Sequence, residues 1–179
     1  MKNIQCYIAT SIDGYIARKD NSIDWLDIVP VPEGSGLGYT AFYNNVDVVI
    51  MGRNTYDEVM GFGVPWPYAD SQCFIVTSDI NYKVQTPNTQ LVHSVDQALI
   101  EKLKNVATKN IWLIGGGGLV SQFMKLNALN ELLISIIPIV LGDGIRLFPD
   151  NPPETQFDLK KIDDFGNGAV MLSYLKKDA

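Results

Sequence analysis

Short runs of branched apolar residues alternate along the chain with stretches in which apolar positions recur every three or four residues. The first pattern predicts buried strands and the second predicts helices that pack one face. Ile4 to Thr10 reads as the first strand, Val46 to Met51, apolar apart from Asp47, as the next, and Cys73 to Val76 and Leu91-Val92 as two more. Ile111-Trp112-Leu113-Ile114 is a further buried strand, followed by Gly115-Gly116-Gly117-Gly118 and a helix with apolar Leu119, Val120, Phe123, Met124 and Leu126. Tyr39, Phe42, Tyr43 and Val46 predict a short amphipathic helix. Thr55 three residues before Glu58, and Ser94 three before Gln97, have the spacing at which a side chain caps a helix start. The second of these helices places Val95, Ala98, Leu99, Leu103 and Val106 on one face. Glu131 to Gly142 predicts a long apolar strand with a bulge or an edge position at Pro138. Phe157 to Phe165 and Ala169 to Lys176 predict a closing hairpin turned by Gly166-Asn167-Gly168.

Strands separated by helices imply an α/β domain with a mostly parallel central sheet, right-handed crossovers and an antiparallel C-terminal hairpin. In such sheets ligands bind beyond the carboxyl ends of the strands. Three turns lie there: Gly52-Arg53-Asn54-Thr55, Thr77-Ser78 and Gly115 to Gly118. A helix start offers unpaired N–H groups and the positive end of a dipole, so each turn suits an anion. The glycine run is bounded by apolar residues and holds no Ser, Asn or Pro, which favours a close backbone approach over a flexible linker. It is not the Rossmann fingerprint, which follows the first strand. Asp13-Gly14 marks a tight turn after the first strand, and the sequence leaves open whether it is only a turn or also borders a ligand. Asp24-Trp25 and the Pro30 to Gly38 stretch form an irregular connection that can fold over a pocket.

The 179 residues suit a single domain over 1–179, and 46% hydrophobic with 19% charged residues is a globular composition. No apolar run is long enough to span a membrane and the N-terminus shows no signal-peptide pattern, so a cytoplasmic protein is expected. A net charge of −6 with scattered basic residues argues against tracking nucleic-acid phosphates. Cys6 and Cys73 fall in strands and read as buried hydrophobes. With His93 the only histidine, a Ser-His-Asp triad or a histidine-rich metal site, and hence a metal-dependent hydrolase, is disfavoured.

Val49-Ile50-Met51-Gly52-Arg53-Asn54-Thr55-Tyr56, then Thr77-Ser78, then Ile114-Gly115-Gly116-Gly117, resemble in order and spacing the dihydrofolate reductase superfamily. Within it, Ser11-Ile12-Asp13-Gly14 and the stretch from Pro138 to Phe148 resemble the reductase domain of bacterial riboflavin biosynthesis and its stand-alone relatives. The resemblance implies a dihydrofolate reductase-like fold, NADPH as cofactor, and a homodimer. It places the adenosine 2′-phosphate on Arg53, Thr77 and Ser78, and the pyrophosphate on Thr55 and the helix starts. The cofactor surface would comprise Gly52, Arg53, Asn54, Thr55, Thr77, Ser78, Ile114, Gly115, Gly116, Gly117, Gly118, Leu119 and Val120, with a cis peptide joining Gly115 and Gly116. Asp13 and Tyr39 are the catalytic candidates, and Trp25, Phe42 and Ile136 the candidates for touching substrate.

One departure bears on the substrate. Folate-reducing members carry a carboxylate in the helix where this chain has Gly34 to Phe42, a stretch without Asp or Glu, although Glu33 lies just before it. Lacking that proton-delivery partner, the chain is not expected to reduce dihydrofolate. The expected activity is NADPH-dependent hydride transfer to a small heterocycle of the phosphoribosylamino-uracil kind, with a non-catalytic NADPH-binding sensor as the alternative. The expected homodimer draws further support from the apolar strand Leu132 to Leu141, if it lies near a sheet edge.

Overall fold

The structure is a computed structural model that describes residues 2–31, 38–149 and 151–177. Ten strands and four α-helices follow one another as β1 (Ile4–Ser11), β2 (Tyr15–Ala17), α1 (Tyr39–Tyr43), β3 (Val46–Gly52), α2 (Arg53–Gly61), β4 (Gln72–Val76), β5 (Thr89–Val92), α3 (Gln97–Val106), β6 (Asn110–Gly115), α4 (Gly117–Lys125), β7 (Glu131–Ile137), β8 (Ile145–Arg146), β9 (Phe157–Asp164) and β10 (Val170–Lys176). Eight of the strands form one sheet in the order β5-β4-β3-β6-β1-β7-β10-β9, parallel from β5 to β7 and antiparallel over β7, β10 and β9. This is the predicted architecture. The remaining two, β2 and β8, pair as a small ladder that ties residues 15–17 to residues 145–146.

The central strands are apolar on both sides because both faces are covered. On one face Ile4, Cys6, Val48, Ile50 and Leu113 pack beneath Leu99 and Leu103 of α3 and Val120 and Phe123 of α4. On the other, Val49, Met51, Ile75 and Trp112 pack with Phe42 of α1, Tyr56 and Val59 of α2, and Tyr68. Asp47, the polar exception in β3, accepts N–H bonds from Thr108 (2.7 Å) and Lys109 (3.1 Å), so its carboxylate pins the turn into β6.

The structure corrects five expectations about the elements. The second helix begins at Arg53, not Thr55, with Gly52 as N-cap and no side-chain cap. The third is capped by Asp96, whose carboxylate accepts the Leu99 N–H at 2.9 Å; Ser94 supports that carboxylate rather than capping the helix itself. β7 stops at Ile137, because Pro138 has no N–H to give the ladder. It is flanked by β1 and β10, so the edge argument for a dimer does not hold; the edge strand on that side is β9. Asp24–Ile28 is a short 3₁₀ helix within the stretch read as irregular, and residues 32–37 of the predicted covering connection, Glu33 included, lie outside the described residues. Among the described residues no helix is long and apolar enough to cross a membrane.

Candidate active site

At the carboxyl ends of β4, β3, β6 and β1 the sheet opens into a cleft of about 800 Å³. These strands are neighbours, so at the usual inter-strand spacing their ends span roughly 14 Å. Two helix starts face one another across the middle. Both α2 and α4 are nine residues long, both have a glycine N-cap with no side-chain bond, and neither has an acidic residue in its first turn. The amides of Leu119 and Val120 return to the Gly116 carbonyl at 2.9 and 3.2 Å, which leaves Gly117 and Gly118, both on the cleft wall, without helical acceptors.

The four glycines serve different ends. Gly115 has φ +133°, a backbone conformation that a side chain resists, and its peptide to Gly116 is cis, as the resemblance implies. A Cβ on Gly117 would lie 2.2 Å from the Arg146 carbonyl oxygen and 2.8 Å from that of Leu147, so α4 packs directly on the 146–149 backbone. A Cβ on Gly118 would meet nothing within 4 Å. Gly52 completes the floor: its own Cβ would come 3.9 Å from the Gly115 oxygen.

At the β4 end stands Arg53. Its Nε contacts Asp57 at 3.3 Å, its Nη1 contacts Asp79 at 3.6 Å, and its guanidinium lies 4.8 Å from the Tyr82 ring centre. The Tyr82 hydroxyl donates to Asp57. Thr77 and Ser78 line the adjoining wall, and His93 donates Nδ1–H to the Thr77 carbonyl at 2.9 Å, which fixes that turn. On the opposite flank the wall is aromatic. Trp112 stands edge-on to Tyr39 (5.8 Å between centroids) and Tyr68 (5.5 Å), and its Nε1 donates to the Tyr7 carbonyl at 3.1 Å. Burial pushes the Tyr7 phenol up to about 12, aided by Tyr39, and raises Tyr39 and Tyr68 as well, so all three hydroxyls remain protonated donors at neutral pH.

Of the residues expected to face the cofactor, Gly52, Arg53, Asn54, Thr55, Thr77, Ser78, Ile114, Gly115, Gly116, Gly117, Gly118 and Leu119 all line this cleft; Val120 does not, being wholly buried in the core. Tyr39 lines it too. The other four are elsewhere. Trp25 is 1% exposed, packed with Val29, Ile137 and Ala169, because the 3₁₀ helix turns its ring inward. Phe42 borders a separate hollow of about 340 Å³, and Ile136 sits within the sheet between Thr10 and Val170. Asp13 is outside the cleft wall and its carboxylate is fully engaged, accepting from Ser11 Oγ (2.6 Å), Gly142 N–H (2.7 Å) and Leu141 N–H (3.1 Å). It braces the 11–14 turn against the 138–144 segment.

Those donors, the Ser11 hydroxyl first, hold the Asp13 carboxyl down at about 2. Because the folded value lies below the ordinary one of about 3.9, the brace stabilises fully above pH 4 and is lost as pH falls toward 2. Asp13→Asn should therefore melt lower than wild type at pH 7, and the two melting curves should converge between pH 4 and pH 2. Parallel pH profiles would show that the carboxylate braces nothing.

Sequence reasoning missed Tyr7, Tyr68, Trp112 and Glu58, all on the cleft wall, together with Asp57 and Asp79 beside Arg53. Asp57 was legible as the i+4 partner of Arg53. Tyr68 lies in a loop whose course no local pattern shows.

Residues 2–171 match the model of the RibD C-terminal domain. The chain belongs to that family. It is 42% identical to the uncharacterized protein YwjB of Bacillus subtilis over 171 residues, 95% of each chain. Among solved structures, a Shewanella sp. PV-4 protein provisionally named for riboflavin biosynthesis is 31% identical and superposes with a TM-score of 0.87 over 99% of this chain and 100% of its own. A pyrimidine reductase-like protein from Corynebacterium diphtheriae, 13% identical, shares the fold with a TM-score of 0.72 over 99% and 93% of the two chains. The family match spans every element that lines the cleft, so the helix starts and Arg53 described above lie within the matched domain.

Proposed function

We propose that this chain is an NADPH-dependent reductase of a small nitrogen heterocycle, in the class of the aminopyrimidine ribosides reduced in riboflavin biosynthesis. The observation that carries the reading is the alignment, along one cleft, of an arginine beside Thr77 and Ser78, two uncapped helix starts and a glycine floor. That order matches the order of charges in an extended dinucleotide phosphate. Arg53, Thr77 and Ser78 suit a terminal phosphate monoester; the amides at the starts of α2 and α4 suit a pyrophosphate. Gly115 and Gly116 leave room for a planar ring to lie flat on the backbone beside Ile8 and Ile114.

When bound, NADPH supplies a hydride from C4 of its nicotinamide. The chain's own part is orientation and proton handling. Tyr39 and Trp112 wall the position where an acceptor ring would lie, and Tyr39 Oη, kept protonated by burial, can donate a hydrogen bond to the acceptor nitrogen or oxygen as negative charge develops there. Asp13, ionised and occupied, supplies no proton; it holds the loops that border the cleft.

Titrating NADPH and NADH against wild type and Arg53→Ala by intrinsic fluorescence tests the reading. NADPH should bind wild type at least about tenfold more tightly than NADH, a charge-assisted bond being worth roughly 1.5 kcal/mol or more, and Arg53→Ala should erase the difference. Equal affinities in wild type would overturn it. Tight NADPH binding with no turnover of any heterocycle would leave a cofactor-binding sensor instead.

A further inference from the structure

The charge census of the cleft narrows the substrate. All 14 lysines and arginines of the sequence lie among the described residues, and Arg53 is the one cation on the cleft wall. It sits at the β4 end, already between Asp57 and Asp79, where the proposed function assigns it to the cofactor. The cations next to cleft residues in sequence are engaged elsewhere. Arg18 is held by Asp24 at 2.7 Å, Lys19 pairs with Asp143, and Arg146 lies over the Tyr15 ring and bonds its hydroxyl at 3.0 Å. Lys161, on the neighbouring hollow, is paired with Asp163 at 2.7 Å.

The aromatic flank therefore has no cation to receive a second phosphate. The cleft wall does carry one carboxylate, one turn along α2 from Asn54 and Thr55. Glu58 of α2 is half-buried, is the one acidic side chain among the described cleft residues, and takes part in no hydrogen bond or ion pair there. An unpaired carboxylate repels an anion and accepts from N–H donors. The aromatic flank itself offers the protonated phenols of Tyr7, Tyr39 and Tyr68, set among the faces and edges of aromatic rings that suit stacking on a flat ring.

Resting on the reductase reading above, we propose that the substrate is a planar ring bearing N–H donors and carrying no phosphate, and that Glu58 is the specificity-determining residue that anchors the ring and rejects phosphate esters. The natural comparison is one compound in two forms, a phosphoribosylamino-uracil and the same compound after phosphatase treatment.

Both forms are assayed with NADPH on wild type, Glu58→Gln and Glu58→Lys, and both are titrated calorimetrically against cofactor-free protein. Wild type should favour the dephosphorylated form by at least about tenfold in kcat/KM, or about 1.4 kcal/mol. Glu58→Gln should lower kcat/KM for that form and shrink the preference, and Glu58→Lys should reverse it. Melting temperatures should change little, since Glu58 has no partner to lose. A wild type that prefers the phosphorylated compound, a Glu58→Lys variant with an unchanged ratio, or no binding of either form would overturn the proposal. Failure of the reductase reading shows separately, as absent NADPH binding while the dephosphorylated ring still binds the free protein.

Discussion

Gly117→Ala should be a severely destabilising single-methyl change. A Cβ at this position lands 2.2 Å from the Arg146 oxygen, 2.8 Å from the Leu147 oxygen and 2.9 Å from Pro149 Cδ, and two of these three are backbone atoms that no rotamer change can withdraw. The helix cannot retreat, because Val120 and Phe123 on the same turns are wholly buried. Nor can the 146–149 segment, since β8 pairs with β2, Leu147 is 2% exposed, and the Pro149 carbonyl accepts from Ser121 Oγ at 3.1 Å. Overpacking commonly costs about 1–3 kcal/mol, and a backbone clash this close belongs at or beyond the upper end. For a chain of this size that corresponds to a fall in Tm on the order of 10 °C. NADPH binding should be lost with it, because displacing α4 moves the amides of Gly117 and Gly118. Gly118→Ala is the control: its Cβ enters open space on the cleft wall, so the fold should hold while cofactor affinity falls. Thermal unfolding and cofactor titration of the pair decide the matter. A Gly117→Ala protein that melts within a few degrees of wild type would refute the packing argument.

The same glycine run shows how far local pattern reaches. A strand, a side-chain-free turn and a helix were legible because each leaves a periodic signature: Ile111 to Leu113 buried on both faces, then Leu119, Val120 and Phe123 inward. That the three turns would share one cleft was legible for a related reason, since strand ends and helix starts have fixed relations in a parallel sheet. The cap positions were less so. Thr55 and Ser94 have capping-box spacing, yet Gly52 and Asp96 begin the helices: β3 runs straight into α2 through Gly52, whereas after β5 the helix waits until Asp96, whose carboxylate takes the Leu99 N–H. Positions set by long-range contact were not legible. Asp13 reads as a catalytic candidate until Leu141 and Gly142, about 130 residues away in sequence, are seen to occupy it. Trp25 reads as a pocket wall until Ile137 and Ala169 enclose it. Tyr68, Glu58 and Trp112 come to one cleft from a loop, a helix and a central strand, and nothing in their separate surroundings along the chain announces that meeting.

Trp112→Ala should separate the two halves of the cleft. The indole is 5% exposed in the middle of β6, where its residue pairs with Gln5 on one side and Val49 on the other. Its ring meets Phe42 at 5.3 Å, Tyr68 at 5.5 Å and Tyr39 at 5.8 Å in edge-to-face contacts, and its N–H holds the Tyr7 carbonyl. Truncating a buried tryptophan costs about 3–5 kcal/mol, and here the void opens beneath the wall that would position the acceptor ring. The parts proposed to hold the cofactor's phosphates are built differently, from the backbone at Gly117 and Gly118 and from Arg53, with no contact to the indole among the interactions that hold them. Urea unfolding should therefore show the full loss of stability, substrate kcat/KM should fall by at least about a hundredfold (roughly 2.7 kcal/mol), and the NADPH dissociation constant, read by calorimetry on the folded protein, should change less than about threefold. Trp112→Phe keeps most of the ring contact but not the N–H, so it should recover most of the stability while still holding substrate poorly. If Trp112→Ala weakened NADPH as much as substrate, the cleft would be one cooperative unit and the division between a backbone-built cofactor half and an aromatic substrate half would fall.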